Sequence, residues 1–334
     1  MPADIAVESP PAALHGRLRE LVADQQWALP VPGRGMTLLR WQKLAQIAAE
    51  DVSLVKLYEA HCDGLAIMAE LSPAHSANLN RPGEVWAVWA AEPPDARVTL
   101  HRTGTGVVLT GRKSWCSGAD VATRALVTAW DTDGRQCLVA VALDGAGVTV
   151  TQDGWHAVGM GRVASGDVLF EHAAGTEIGR PGEYTARPGF WHGGAGIAAC
   201  WYGGALPFAQ ALAAAVARRG DPHAAAHLAV VDIALRGLRA LLTESASWID
   251  AHPEADAQAV AMRVRAAAEE TASLISDRAG RVLGAGPLCR DAAMAQRYAD
   301  LPVFLRQSHA ERDLAELGVL TAGRLAGGDL GWQL

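Results

Sequence analysis

The chain has 334 residues, half of them hydrophobic and 19% charged, and a net charge of −7. That length suits two or three packed parts, and so apolar a composition excludes an extended, solvating or disordered role. An acidic balance with no run of Lys or Arg argues against nucleic acid or an anionic membrane as partner, and leaves a small-molecule substrate as the expectation.

The N-terminal stretch lacks the basic start and apolar core of a signal peptide. From Leu14 to about Leu71 apolar residues recur at three- and four-residue steps. Leu18, Leu21 and Val22 mark one helix, and Leu38, Leu39, Trp41, Leu44 and Ile47 a second, after a break at Leu29–Gly35. Asp51 is placed to cap a third, in which Leu54, Leu57, Tyr58, His61 and Leu65 share a face. An N-terminal helical domain is therefore expected over 1–80.

Over 81–180 the texture changes to short runs rich in Val, Thr and aromatics, at 85–91, 107–111, 125–130, 137–143, 148–152 and 167–172. The residues Asp131–Gly134 read as a hairpin turn, and strands at this spacing predict a barrel-like β-domain. From 181 to 334 long Ala-rich helical patterns return, wide enough on their apolar faces to pack as a four-helix bundle. Apolar runs such as Ile197–Cys200 and Ala211–Val216 are too short or too Gly-interrupted to span a membrane. Five scattered cysteines without a CxxC pair predict reduced thiols in a cytoplasmic protein, and no metal site.

The stretch from Ala87 to Ala129 resembles the flavin-binding segment of the acyl-CoA dehydrogenases. Glu92 and Pro93 match the family's Thr-Glu-Pro, and Gly111, Lys113, Trp115, Ser117 and Ala119 its Asn-Gly-x-Lys-x-Trp segment. Gly159, Ser165, Val168 and Phe170 follow its next strand, and the likeness covers most of the chain. It implies an α+β, acyl-CoA-dehydrogenase-like architecture with a shortened N-terminal helical part, a β-barrel-like middle and a C-terminal four-helix bundle. It also implies bound FAD. Trp115 would wall the isoalloxazine and Ser117 would bond its N5/O4 edge, which suits a flat, partly apolar ring edged by hydrogen-bonding atoms. Alternation along one strand would put both on the same face. Taken alone, a Trp-x-Ser pair is equally a core indole and a turn serine. Ala91 stands where the family has the Thr that touches the pyrimidine edge.

For the adenine half of FAD, Arg218 or Arg219 matches the family's Arg-Lys-x-Phe-Gly turn, with Asp221 in place of Phe. Arg281, Gly284 and Gly286 match its Gln-x-x-Gly-Gly-x-Gly, although the same glycines would serve as an ordinary helix C-cap. In the family such arginines reach across a subunit boundary, which implies a homodimer or homotetramer. An acyl-CoA dehydrogenase needs a carboxylate to take the α-proton while hydride passes to the flavin. No Asp or Glu lies between Tyr184 and Asp221, and the family's other Glu position falls on about Ala299, which leaves the adjacent Asp300 as candidate base. Asp300 is equally a structural carboxylate.

The leading expectation is oxidation of an acyl thioester or similar substrate at its α,β carbons, with a CoA thioester as the candidate substrate and an electron-transfer partner. Flavin monooxygenases of the same fold lack the Glu and place polar groups beside the ring; His192, preceded by Trp191, and His309 are candidates, the first pair as substrate pocket. A non-catalytic partner subunit is a third reading. Hydrolysis is dropped: Ser308 and His309, adjacent on a helix, would diverge by about a hundred degrees, and no GxSxG occurs.

Overall fold

The computed structural model describes residues 10–24, 26, 28–73, 81, 83–104, 106–325 and 332. The chain forms two compact units, 1–28 with 53–187 and 29–52 with 188–334.

The first unit holds α1 (Pro10–Ala23), α3 (Val52–Leu71) and seven strands: β1 (Trp86–Trp89), β2 (Val98–Thr103), β3 (Gly106–Lys113), β4 (Arg124–Trp130), β5 (Gln136–Ala142), β6 (Val148–Val150) and β7 (Val168–Ile178). A short helix α4 (Glu183–Ala186) follows. Strand pairing runs β4–β2–β3–β7–β5 and returns from β5 to β4, a closed five-strand barrel. Strand β1 adds to β4 in parallel and β6 to β7 antiparallel. Inward residues such as Val98, Leu109, Val127, Val139 and Phe170 fill the barrel. Trp86, Leu126, Leu138, Ala140 and Ile178 make a second cluster with Ile67 and Met68 of α3. The middles of β4 and β5 are therefore buried on both faces, which is why their sequences read as unbroken apolar runs.

Strand β2 lies between the runs at 85–91 and 107–111 that the sequence marks as strands. Its outer positions are exposed, so it carries a weaker apolar signal. It pairs with β3 from Val98↔Gly111 to Thr103↔Gly106. At Gly111, φ is +126 and a Cβ would come 2.2 Å from the Arg97 carbonyl oxygen, so the pairing depends on glycine there. The Asp131–Gly134 turn joins β4 to β5 as expected. Hydrogen bonds from the Arg135 backbone N–H and the Arg135 and Arg102 side chains hold the Asp131 carboxyl down at about 2.

The second unit holds α2 (Thr37–Glu50), α5 (Pro188–Arg219), α6 (Pro222–Ala251), α7 (Gln258–Leu283), the short α8 (Gly286–Arg290), α9 (Ala292–Leu305) and α10 (Glu311–Leu325). This goes beyond the four-helix set expected from the sequence, and α2, expected within the N-terminal part, is in this unit. Asp51, in extended conformation, separates α2 from α3. Helix α5 is central, packed most extensively on α7 and α2. A Cβ at Gly203 would lie 2.1 Å from the Ala45 carbonyl oxygen, so the α2–α5 approach requires glycine. The Gly-interrupted apolar run expected to be too short to span a membrane is instead one continuous helix, long and apolar enough by length and composition, with 61% of its most apolar window buried in the protein. Neighbouring helices cover its small residues, so the glycines shape contacts rather than break the helix.

Candidate functional site

In the first unit, Glu92 is tied to Lys113, two residues before Trp115 and four before Ser117. Lys113, the last residue of β3, turns its side chain inward, 1% exposed, where its ammonium donates to Glu92 Oε1 at 2.8 Å, to Thr128 Oγ1 at 2.7 Å and to the Thr128 carbonyl at 3.1 Å. Thr128 also bonds Glu92 Oε1, and Trp130 Nε1 donates to its Oε2 at 3.1 Å. Burial would push the Glu92 carboxyl up, but bonds from Lys113, Thr128 and Trp130, with the Lys113 charge, outweigh it and hold it below its ordinary value. Burial lowers the Lys113 ammonium against the opposing pull of Glu92. Both Glu92 oxygens are thus engaged within the unit, and the carboxylate anchors the strand that leads into Trp115.

Beyond Lys113 the chain leaves the strand. Ser114 and Cys116 are both buried, and between them Trp115 takes a left-handed φ of +58 with its side chain 56% exposed. Trp115 and Ser117 therefore lie in a turn, not on one strand, and strand alternation does not place them. A tryptophan in this region of conformational space is strained by about 1–3 kcal/mol and persists only where its surroundings over-determine it. They do. Cys116 N–H donates to the Gly166 carbonyl at 2.9 Å and Gly118 N–H to that of Val163 at 2.8 Å. Cys116 Sγ bonds the Lys113 carbonyl at 3.1 Å, and Trp89 Nε1 donates to the Ser117 carbonyl at 3.1 Å. The hydroxyls of Ser117 and Ser165 lie 2.8 Å apart.

The segment that receives these bonds is itself strained. Met160 at φ +58 and Ala164 at φ +48 bracket a 3-10 turn, Gly161–Val163. Among the described residues, three of the five non-glycine positive-φ residues are thus tied to one ledge. An exposed indole with a hydroxyl two residues on fits what an isoalloxazine needs, a flat apolar wall and a short donor. Ser165 and Trp89 belong to this construction. Sequence reading gave Ser165 only a motif match and Trp89 only a strand; serines 48 positions apart carry no local signal that they meet.

In the second unit, Trp191 and His192 lie near the start of α5. Trp191 stands edge-on to Phe190 at 5.2 Å between ring centroids. His192 is 2% exposed beneath the loop at Gly33, where a Cβ would come 3.0 Å from its Nδ1. Asp250 of α6 holds that loop by accepting from Gly35 N–H, Thr37 N–H and the Thr37 hydroxyl at 3.0, 3.0 and 2.6 Å. Asp300 on α9 is 1% exposed and accepts from Gln296 Nε2 at 2.7 Å. Arg218 is exposed in the last turn of α5. Arg281 is exposed and pairs with Asp277 one turn earlier at 2.9 Å. Gly284, at φ +67, caps α7, and Gly286 opens α8. Ser308 and His309 lie in the turn before α10, not on a helix, and His309 Nδ1 sits 3.1 Å from Asp313. Among the described residues no group of three or more His, Cys, Asp or Glu is placed to hold a metal ion.

No family model matches the chain, and no curated protein matches it in sequence. Solved structures do. The complex of TdsC from Paenibacillus sp. A11-2 with FMN and indole matches at a TM-score of 0.76 and 20% identity, over 92% of this chain and 94% of that one; TdsC is a dibenzothiophene monooxygenase. Methanesulfinate monooxygenase MsuC from Pseudomonas fluorescens matches at 0.70 and 20% identity, over 93% and 96%. KijD3, in complex with FMN and a dTDP-linked amino-keto sugar, matches at 0.73 and 20% identity, over 94% and 92%. These likenesses show the fold: an α+β chain built as TdsC, MsuC and KijD3 are, with a β-barrel in one unit and a helical array in the other.

Proposed function

We propose that this chain is a flavin-dependent oxidoreductase, and that it works as a monooxygenase on a small molecule rather than as an acyl-CoA dehydrogenase. The observation that carries the flavin reading is the Trp115 indole, held out of the protein in a left-handed backbone by five hydrogen bonds from its neighbours. An aromatic residue left more than half exposed recovers only part of its burial energy in exchange for such strain, and such outliers gather at functional sites. Fold likeness to proteins solved with FMN supports the same reading.

Dehydrogenation would require a carboxylate free to reach a substrate α-carbon. Asp300 is instead sealed within helix packing and bonded to Gln296, which favours the monooxygenase alternative. A reduced flavin, when bound, supplies two electrons so that one oxygen atom of O2 enters the substrate and the other leaves as water. Trp115 would stack on the ring and fix its plane, and Ser117 would donate a hydrogen bond to its edge. Lys113 and Glu92 would hold the strand end so that neither group moves during turnover. In this reading Arg218 and Arg281 are left for phosphate groups of the cofactor or for contacts between subunits of a homodimer or homotetramer. A separate reductase would supply the reduced flavin in the cytoplasm, a setting that five uncrosslinked cysteines suit.

The test is direct. Purified protein is titrated with FMN and with FAD, then given enzymatically reduced flavin and air with a panel of aromatic and sulfur compounds. Flavin binding with substrate-dependent oxygen incorporation supports the reading. Anaerobic bleaching of bound flavin by an acyl-CoA would replace it with dehydrogenation, and a protein that binds neither flavin would end it.

A further inference from the structure

The two hydroxyls of the Ser117–Ser165 pair are 2.8 Å apart, and geometry alone lets either give the proton. Burial separates them. Ser165 is 3% exposed, and among the described residues its hydroxyl has no other hydrogen-bond partner. If Ser165 accepted, its own O–H would be left inside the protein with nothing to bond, a worse state than a bond made to the other partner. Ser117 is only half-buried, so its proton has somewhere else to go.

We infer that Ser165 donates to Ser117 and thereby aims the Ser117 O–H outward beside the Trp115 ring, which makes Ser165 the positioning residue for the donor to the flavin edge. The main chain around Ser117 is already fixed: its N–H donates to the Trp115 carbonyl at 3.0 Å, and its carbonyl accepts from the Trp89 indole at 3.1 Å. What remains free is the hydroxyl rotor, and the incoming bond from Ser165 sets it. A hydroxyl that accepts a bond also becomes a better donor. Ser165 is suited to the task because its own frame is rigid. Ala164 before it is left-handed. Gly166 after it leaves no room for a side chain, since a Cβ there would lie 2.6 Å from the Thr151 carbonyl oxygen.

The inference rests on the flavin reading, and a double-mutant cycle on the full chain separates the two. Flavin dissociation constants and visible spectra are measured for the unaltered protein, Ser117→Ala, Ser165→Ala and the double variant, with far-UV circular dichroism and melting of the apoprotein as a check on folding. Each single variant should bind flavin about three- to tenfold more weakly, the worth of one oriented hydrogen bond, and shift the flavin absorption bands. In the Ser117→Ala background, Ser165→Ala should add nothing, because its effect passes through the missing hydroxyl. Additive losses, or an unchanged Kd and spectrum in Ser165→Ala, would overturn the positioning role while leaving the flavin reading intact. Failure of the unaltered protein to bind flavin would overturn both.

Discussion

Replacing Trp115 by glycine and by alanine separates its structural cost from its use. At φ +58 any residue with a Cβ is held in left-handed backbone at roughly 1–2 kcal/mol, while glycine adopts it freely and gives back about 0.5–1 kcal/mol through the entropy of its unfolded chain. Both variants lose the ring. It is 56% exposed, so less than half of it, about 100 Å2 or about 2 kcal/mol at roughly 25 cal/mol per Å2, is withdrawn from burial. Trp115→Ala should therefore lose about 2 kcal/mol, and Trp115→Gly about 1 kcal/mol, reversing the usual order in which alanine is the more stabilising of the two. Urea denaturation of both variants at one pH reads the difference as a shift in midpoint at constant slope. Flavin titration of the same samples should show both variants weakened about tenfold or more, since stacking area is gone from each. An alanine variant as stable as the glycine one would refute the strain argument, and unchanged flavin affinity in both would refute the assigned wall.

Other expectations test the frame around that ledge. His61, buried on α3, accepts the Trp86 backbone N–H on Nδ1 at 3.1 Å, and burial lowers its pKa from 6.5 to about 4. Below pH 6.5 the unfolded chain takes up a proton that the folded chain refuses, so stability should fall by about 2 kcal/mol between pH 6.5 and 5. Denaturant titrations of His61→Gln across that range should be flatter by this amount, and equal slopes would exclude His61 as the cause. Because Lys113 is 1% exposed and Glu92 24%, Glu92→Ala, which strands the deeper charge, should cost about 3 kcal/mol, against about 1–2 for Lys113→Met; thermal melts showing the reverse order would place the desolvation cost on the carboxylate. Gly203→Ala should lose about 3 kcal/mol or more by driving α2 from α5, and a melting temperature within two degrees of the unaltered protein would show that the helices can separate at little cost.

Much of the fold was legible. Period-two and period-3.6 patterns assigned the strands and helices, because each element's face is written in its own residues. Strand β2 was lost because its exposed positions thin the apolar signal. Trp115 was identified by its place in a motif, yet its exposure was not, since that follows from Lys113 and Cys116 both turning inward on either side. Asp300 was the nearest carboxylate in sequence, but burial and the bond from Gln296 are properties of how α9 packs.

The sequence by itself determined the α+β class, the order of helical and β segments, and the presence of an indole and a hydroxyl two residues apart after a lysine-bearing strand. Tertiary structure alone decided which strands meet to close the barrel, β2 on β4 and β7 on both β3 and β5, and that α2 leaves its neighbours in sequence for the company of α5. It also decided that Ser165 meets Ser117 across 48 residues. Local patterns reveal which side of an element avoids water, whereas which edges pair and which loops touch depends on contacts between residues far apart in the chain, where no local periodicity records the partner.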